Sequence, residues 1–242
     1  MKTTSRHGRF FGIGVGPGDP GLIPVKAVNI LNSVDVIFCA SSSKNNHSLA
    51  VNIAGPHLKE NVPVRKLAFP MTMDKDTARR SWLMHTRTIL DELKQGKDAA
   101  FLTLGDPLIY STYGYLLRYL KQDQPELHIE TVPGITSFQA AAAATNTILV
   151  EGEESLLLLS GVHGGDKLRE LSSKVDSVVF LKAYKNISDI CTALEETARM
   201  DAALGVVRCG FTDQEIFQDI RELCSLDPRY WTLIISRKGE EK

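Results

Sequence analysis

The sequence has no long apolar run, no paired-cysteine motif and no surplus of either charge, and each absence excludes something. No segment approaches the roughly 18 consecutive apolar residues that a membrane-spanning helix needs. The first ten residues, MKTTSRHGRF, are polar and basic, and the apolar run after them, residues 10–15, is too short for a secretory signal. No membrane association is expected, and the expected localisation is cytoplasmic. The formal net charge of −1 speaks against a general nucleic-acid binder, which needs a strong basic excess. An anionic ligand must therefore meet a local basic cluster. Cys39, Cys191, Cys209 and Cys224 are scattered without a CxxC pair and read as reduced thiols, mostly buried. None of the six histidines pairs with another at metal-ligand spacing, so no metal is expected. There is no low-complexity segment and no fixed-period repeat.

What is present is enough apolar residue, 43% of 242, for one large domain or two small ones. Short apolar runs (residues 10–15, 35–39, 62–67, 99–104 and 128–132) alternate with helical patterns (22–33, 48–58, 77–95 and 112–122). That alternation implies parallel strands joined by helical crossovers. Several runs are apolar throughout, as strands covered on both faces must be. The second half repeats the theme more loosely, from an alanine-rich helix at 135–145. It ends in EIFQDI and RYWTLIISR, strand-like with little helix between, so the last part of its sheet is expected to be antiparallel. TVPG breaks the pattern near residues 131–134 and places a domain boundary there, dividing the chain into 1–132 and 133–242.

Two apolar runs end in the same tripeptide, Gly18-Asp19-Pro20 and Gly105-Asp106-Pro107. Around the first, GPGDPG satisfies G-x-G-x-x-G, the dinucleotide fingerprint. That fingerprint needs free backbone N–H groups aimed at a pyrophosphate, and two of these six residues are prolines, which have none. It also needs an acid at the end of the second strand, where IFCASSSK has none. Both tripeptides read locally as strand-to-helix turns: glycine permits positive φ, aspartate caps, proline starts a helix. The second is followed by LIYSTYGYLL, which crowds Tyr110, Ser111 and Thr112 at the C-terminal edge of a parallel sheet, where ligands of open α/β sheets sit. A third element, ETVPGITSFQAAAAATN, offers a Pro133-Gly134 turn, then Thr136 and Ser137 at a helix start. Asp19 is expected to act as a cap, and Asp106 to meet a ligand.

Taken in order, GVGPGDPGLIPVKAV, FLTLGDPLIYSTYGYL and ETVPGITSFQAAAA resemble the tetrapyrrole methylase family, over about residues 8–237. Within it, LGDPLIYSTY, TVPGITSFQAAAA and LVEGEESLLLLSG are most similar to the branch that methylates C20 of precorrin-2 or cobalt-factor II. The resemblance implies two α/β domains, the first sheet mostly parallel and the second mixed. It implies S-adenosyl-L-methionine as cofactor, a tetrapyrrole substrate and a homodimer. The first domain would face the tetrapyrrole and the second would complete the cofactor site. Carried over by position, the cofactor contacts are Pro17, Leu104, Gly105, Asp106, Ile109, Tyr110, Thr136, Ser137, Lys182 and Ala183. No catalytic base is assigned; Asp106 and Tyr110 are the candidates for removing a proton. Arg65, Lys66, Arg79, Arg80, Arg118, Lys182 and Lys185 are candidates for the substrate's carboxylates. Pro24 replaces the family's more usual threonine and is expected in the first turn of a helix. CASSSKNNHS lacks an expected proline. The alternatives are methylation at another ring position, or a non-catalytic module that binds a dinucleotide or tetrapyrrole.

Overall fold

The computed structural model describes residues 7–42, 48–70, 72 and 74–238. Residues 43–47 of CASSSKNNHS lie outside them. The chain divides into two compact units, Met1–Thr136 and Ser137–Lys242, four residues beyond the boundary read from TVPG.

The first unit is built on β1 (Phe10–Gly14), β2 (Val36–Ser42), β3 (Val64–Phe69), β4 (Ala99–Thr103) and β5 (Ile129–Val132), with helices α1 (Val25–Leu31), α2 (Leu49–Ala54), α3 (Lys75–Lys94) and α4 (Tyr113–Asp123) between them. All its pairings are parallel, in the order β3-β2-β4-β1-β5. The central strands read FFGIG and AAFLT, apolar on both faces because helices cover both. Phe10, Phe38, Phe101 and Tyr113 are fully buried in one cluster with Ile89, Leu93 and Leu116. Gly12 makes room there: a Cβ would meet the Tyr113 ring at 2.1 Å. Tyr113 in turn bonds Thr131 Oγ1 through its hydroxyl at 2.7 Å, so its one polar atom is satisfied in the core.

Helix α3 starts where Asp74 accepts the N–H groups of Asp76 and Thr77, both at 3.2 Å. Helix α1 is shorter than its pattern. Pro24 sits at the N-cap in extended conformation (φ −60°, ψ 138°), and the helix begins only at Val25. This corrects the placement of Pro24 inside the first turn.

The second unit carries α5 (Ser137–Thr145), β6 (Leu156–Ser160), α6 (Asp166–Leu171), β7 (Ser177–Leu181), α7 (Ile187–Glu196), β8 (Ala203–Val207), β9 (Glu215–Phe217), α8 (Ile220–Cys224) and β10 (Thr232–Arg237). Its strand order is β6-β7-β10-β8-β9; β6 and β7 are parallel, and the remaining pairs are antiparallel. The sheet is therefore mixed. Alternate side chains feed two faces: Val178 and Phe180 pack with Leu194, Ile190 and Leu223, while Val179 packs with Leu204, Leu233 and the small side chains of Ala141 and Ala142 on α5. Alanine lets that helix lie close to the sheet. The short helix α8 stands between β9 and β10, where the sequence suggested little helix.

The reading of four reduced thiols is also corrected. Cys191 on α7 and Cys224 on α8 are joined in a disulfide, their Cα atoms 6.4 Å apart, while Cys39 and Cys209 are free and buried.

Candidate functional site

Strand β1 lies between β4 and β5, and all three run the same way, so their C-terminal ends abut. The segments that leave them are the three motifs of the sequence, and their backbones are knitted together. Gly16 and Gly105 form an isolated antiparallel bridge: Gly105 donates to the Gly16 carbonyl at 2.7 Å, and Gly16 donates back at 3.4 Å. Both adopt left-handed conformations, with φ of 81° and 66°. The first Gly-Asp-Pro turn thus meets the second through main chain, with Pro17 buried beside the bridge.

The third motif is tied in by Asp106. Its Oδ1 accepts the N–H of Leu108 at 2.8 Å, closing a tight turn, and its Oδ2 accepts the N–H of Gly134 at 3.0 Å. Asp19 closes the corresponding turn on Gly21 at 2.8 Å with one oxygen. The approach of the three segments needs glycine. A Cβ on Gly134 would meet the Gly105 carbonyl oxygen at 2.2 Å, and one on Gly14 would meet Gly105 O at 2.5 Å and Gly134 N at 2.6 Å.

Beyond the turn, Leu108, Ile109 and Tyr110 are exposed in succession, with Leu108 at 61%. Tyr110 holds φ at +48°, a strained region for a bulky side chain and one that clusters at functional sites. Ser111 Oγ bonds Thr103 Oγ1 at 2.8 Å and caps the Tyr113 N–H at 3.2 Å, which ends the loop and starts α4. Thr136 is buried two residues after Gly134. Of the expected cofactor contacts, this edge gathers Pro17, Leu104, Gly105, Asp106, Ile109 and Tyr110, with Thr136 close behind in sequence. Ser111, expected at this edge, is there; Thr103 and Gly14 belong to the same edge and were not picked out beforehand.

In the second unit, Ser137 opens α5, and Lys182 and Ala183 follow β7 directly. Lys182 is left-handed (φ +58°). Its side chain remains partly open to solvent, yet the atoms around its ammonium withdraw enough water to hold its pKa below the ordinary lysine value. Because β10 runs antiparallel to β7 and β8, its start lies beside their ends. There Arg208 (φ +53°) and Trp231 (φ +61°) join Lys182 as left-handed residues at one sheet edge. The Arg208 guanidinium lies 4.9 Å from the Phe211 ring centre and 5.0 Å from that of Trp231, and Tyr230 packs edge-on against Tyr184 at 4.9 Å. Burial, and then Tyr184, raise the Tyr230 hydroxyl pKa. Sequence reasoning missed this group. Its one signal was the aromatic pair opening RYWTL.

The cations proposed for carboxylate recognition divide in two. Lys182 and Lys185 stand at this edge. Arg65, held by Glu92 at 2.7 Å, and Lys66 lie on β3, Arg79 and Arg80 lie on α3, and Arg118 lies over Tyr115 at 5.8 Å. Among the described residues, no group of three His, Cys, Asp or Glu side chains is placed to hold a metal ion, and no helix is long and apolar enough to cross a membrane.

The family description that matches is Tetrapyrrole (Corrin/Porphyrin) Methylases, over residues 9–224. A cobalt-precorrin-2 C(20)-methyltransferase of Salmonella typhimurium is 29% identical, covering 97% of this chain and 98% of its own. A probable cobalt-precorrin-2 C(20)-methyltransferase of Methanocaldococcus jannaschii is 34% identical over 86% of each. Among solved structures, that of the cobalt precorrin-4 methyltransferase CbiF superposes with a TM-score of 0.75 at 22% identity, covering 95% of this chain and 94% of its own. With three motif segments converging on one sheet edge and a family match spanning nearly all of both units, the chain belongs to the tetrapyrrole methylase family.

Proposed function

We propose that this protein is an S-adenosyl-L-methionine-dependent methyltransferase acting at C20 of a precorrin-2-type tetrapyrrole, in corrin-ring synthesis. The cobalt-bearing substrate is favoured, because the relatives from Salmonella typhimurium and Methanocaldococcus jannaschii carry that name. The observation that carries the reading is the junction of the three strand ends, where Gly105 bonds Gly16 and Asp106 bonds Gly134.

The residues present suit such a cofactor. When bound, S-adenosyl-L-methionine supplies a methyl group already activated by its sulfonium. The protein's task is then alignment, and orientation can supply roughly 7–11 kcal/mol of barrier reduction. The bonds Gly16–Gly105 and Asp106–Gly134 tie the three segments to one another. Asp106 keeps unused lone pairs on both oxygens for a hydroxyl donor, and Ile109 and Tyr110 offer apolar surface beside it. We assign binding to these residues together with Pro17, Leu104, Gly105, Thr136, Ser137, Lys182 and Ala183. Both Asp106 oxygens already accept backbone N–H groups, which favours holding a ligand over removing a proton. Tyr110 remains the other candidate base. Residues 1–132 are read as the tetrapyrrole-facing part and 133–242 as completing the cofactor site, in a cytoplasmic homodimer.

The test is product mass and position of methylation after incubation with S-adenosyl-L-methionine and either precorrin-2 or cobalt-factor II. One added methyl at C20 supports the reading; methylation elsewhere, or none, overturns it. S-adenosylhomocysteine should raise the melting temperature and NAD should not.

A further inference from the structure

Helix α3 has two unlike sides. One buries His85, Thr86, Ile89, Leu90 and Leu93. The other presents Arg80, Leu83, Met84, Arg87, Thr88 and Asp91 along an open groove of about 350 Å³. Their spacing of three and four residues makes one continuous stripe. Met84, at its middle, is 56% exposed. Among the described residues, Arg80 donates one turn back along its own helix to Thr77 Oγ1 at 2.9 Å and feels the charge of Asp74 there. Among the described residues, neither Arg87 nor Asp91 has an ion-pair partner.

The order of charges along the stripe identifies what fits it. Arg80 stands at one end and Asp91 at the other, with Leu83, Met84, Arg87 and Thr88 between. A second stripe laid antiparallel brings Arg80 opposite Asp91 of the other copy, Leu83 opposite Thr88 and Met84 opposite Arg87, each contact made twice. That is the self-complementarity a two-fold interface requires. Arg80 and Asp91 are 11 positions apart, so the two ion pairs would flank the axis about 16 Å from one another. The aliphatic stem of Arg87 can cover the Met84 thioether while its guanidinium reaches past it to water. A parallel arrangement would set Arg80 against Arg80 and Arg87 against Arg87, and repulsion rejects it. Nucleic acid fits poorly, because Asp91 interrupts the stripe and the chain as a whole is not basic.

We propose that α3 pairs antiparallel with α3 of a second copy of this chain, its register fixed by reciprocal Arg80–Asp91 ion pairs. The proposal rests on the homodimer reading above and adds the surface and the register. Rim ion pairs contribute little affinity in water, so their role is choice of orientation.

The experiment is sedimentation velocity of the full chain over a wide range of concentration, with thermal melts confirming that each variant folds. Arg80→Glu and Asp91→Lys should each weaken the dimer by about tenfold, since each sets like charges opposite one another twice. The double variant Arg80→Glu/Asp91→Lys restores opposite signs and should recover most of the loss. Met84→Asp should dissociate the dimer further. A dimer indifferent to Met84→Asp and to Arg80→Glu places the interface elsewhere and overturns this proposal alone. Single effects that simply add in the double variant overturn the register. A chain monomeric throughout overturns the homodimer reading as well.

Discussion

Gly134 donates its backbone N–H to Oδ2 of Asp106 across 3.0 Å, while Oδ1 of the same carboxylate holds Leu108. Asp106 is thus a strut between two loops as well as a candidate ligand. Asn in its place can keep one of these bonds but must turn its NH2 group toward the other N–H. Asp106→Asn is therefore expected to cost about 1–2 kcal/mol of stability in addition to cofactor affinity. At Asp19 a single oxygen is engaged, by Gly21, and Asn caps as well as Asp. Asp19→Asn should melt like the wild type. Asp19 is the cap the sequence reading expected, and the bond to Gly134 adds a stability role at Asp106. Paired thermal melts with S-adenosylhomocysteine titrations decide it, and equal melting of the two variants would count against the strut.

The glycines at the junction make a sharper comparison. A Cβ on Gly134 would sit 2.2 Å from the Gly105 carbonyl oxygen, and both neighbours are backbone with little freedom to move. Gly134→Ala should cost about 3 kcal/mol and disturb ligand binding. Gly114, on α4, has nothing within 4 Å of a built Cβ. There alanine should be neutral or add up to about 1 kcal/mol, because glycine is a poor helix former. Urea denaturation of both variants separates the positions. Equal effects would mean that the loops can open at no cost.

The motifs were legible because their residues answer local demands. Gly105 at positive φ, Asp106 capping its own turn and Ala141 lying close to a sheet each follow from a few neighbouring residues. What escaped depends on contacts far apart in sequence. Helix α8 has five residues, too few to show a helical period. Arg208 and Trp231 share a sheet edge with Lys182 because β10 runs back between β7 and β8. The bond from Asp106 to Gly134 spans 28 residues, and the motif letters contain nothing that names it. Pro24 moved one position outward because a proline fits the cap as well as the first turn.

The Cys191–Cys224 disulfide closes a loop with a sequence separation of 33 and fastens α8 to α7. Cross-linking a loop of this size restricts the unfolded chain, and losing the bond should cost roughly 3–4 kcal/mol. Cys191→Ser, or wild type under reductant, should melt several degrees lower than oxidised wild type. The remaining thiols should be slow to alkylate at neutral pH. Burial raises Cys39, and it raises Cys209 to about 11, so little thiolate exists at either until the chain unfolds. Non-reducing peptide mapping checks the pairing, and recovery of four alkylated cysteines from native protein would contradict it.

Glu92 is buried on α3 and takes Lys97 Nζ at 2.8 Å on one oxygen and Arg65 Nη1 at 2.7 Å on the other. The Lys97 hydrogen bond, helped by the charge of Arg65 against the opposing effect of burial, holds its carboxyl below the ordinary value of 4.5. A depressed carboxyl contributes stability that is present above its unfolded value and is lost as pH falls through its folded one. Wild type should therefore be fully supported at pH 7 and lose this contribution progressively below about pH 4.5. Both cations are partly open to solvent, so screening trims the gain, and Glu92→Gln should cost about 1–2 kcal/mol at neutral pH. The gap between wild type and variant should narrow as the solution is acidified, because protonated Glu92 is as neutral as glutamine. Urea midpoints for both proteins at neutral and acid pH test this. A gap that stays constant with pH would show that shape and hydrogen bonding, not charge, is what Glu92 contributes.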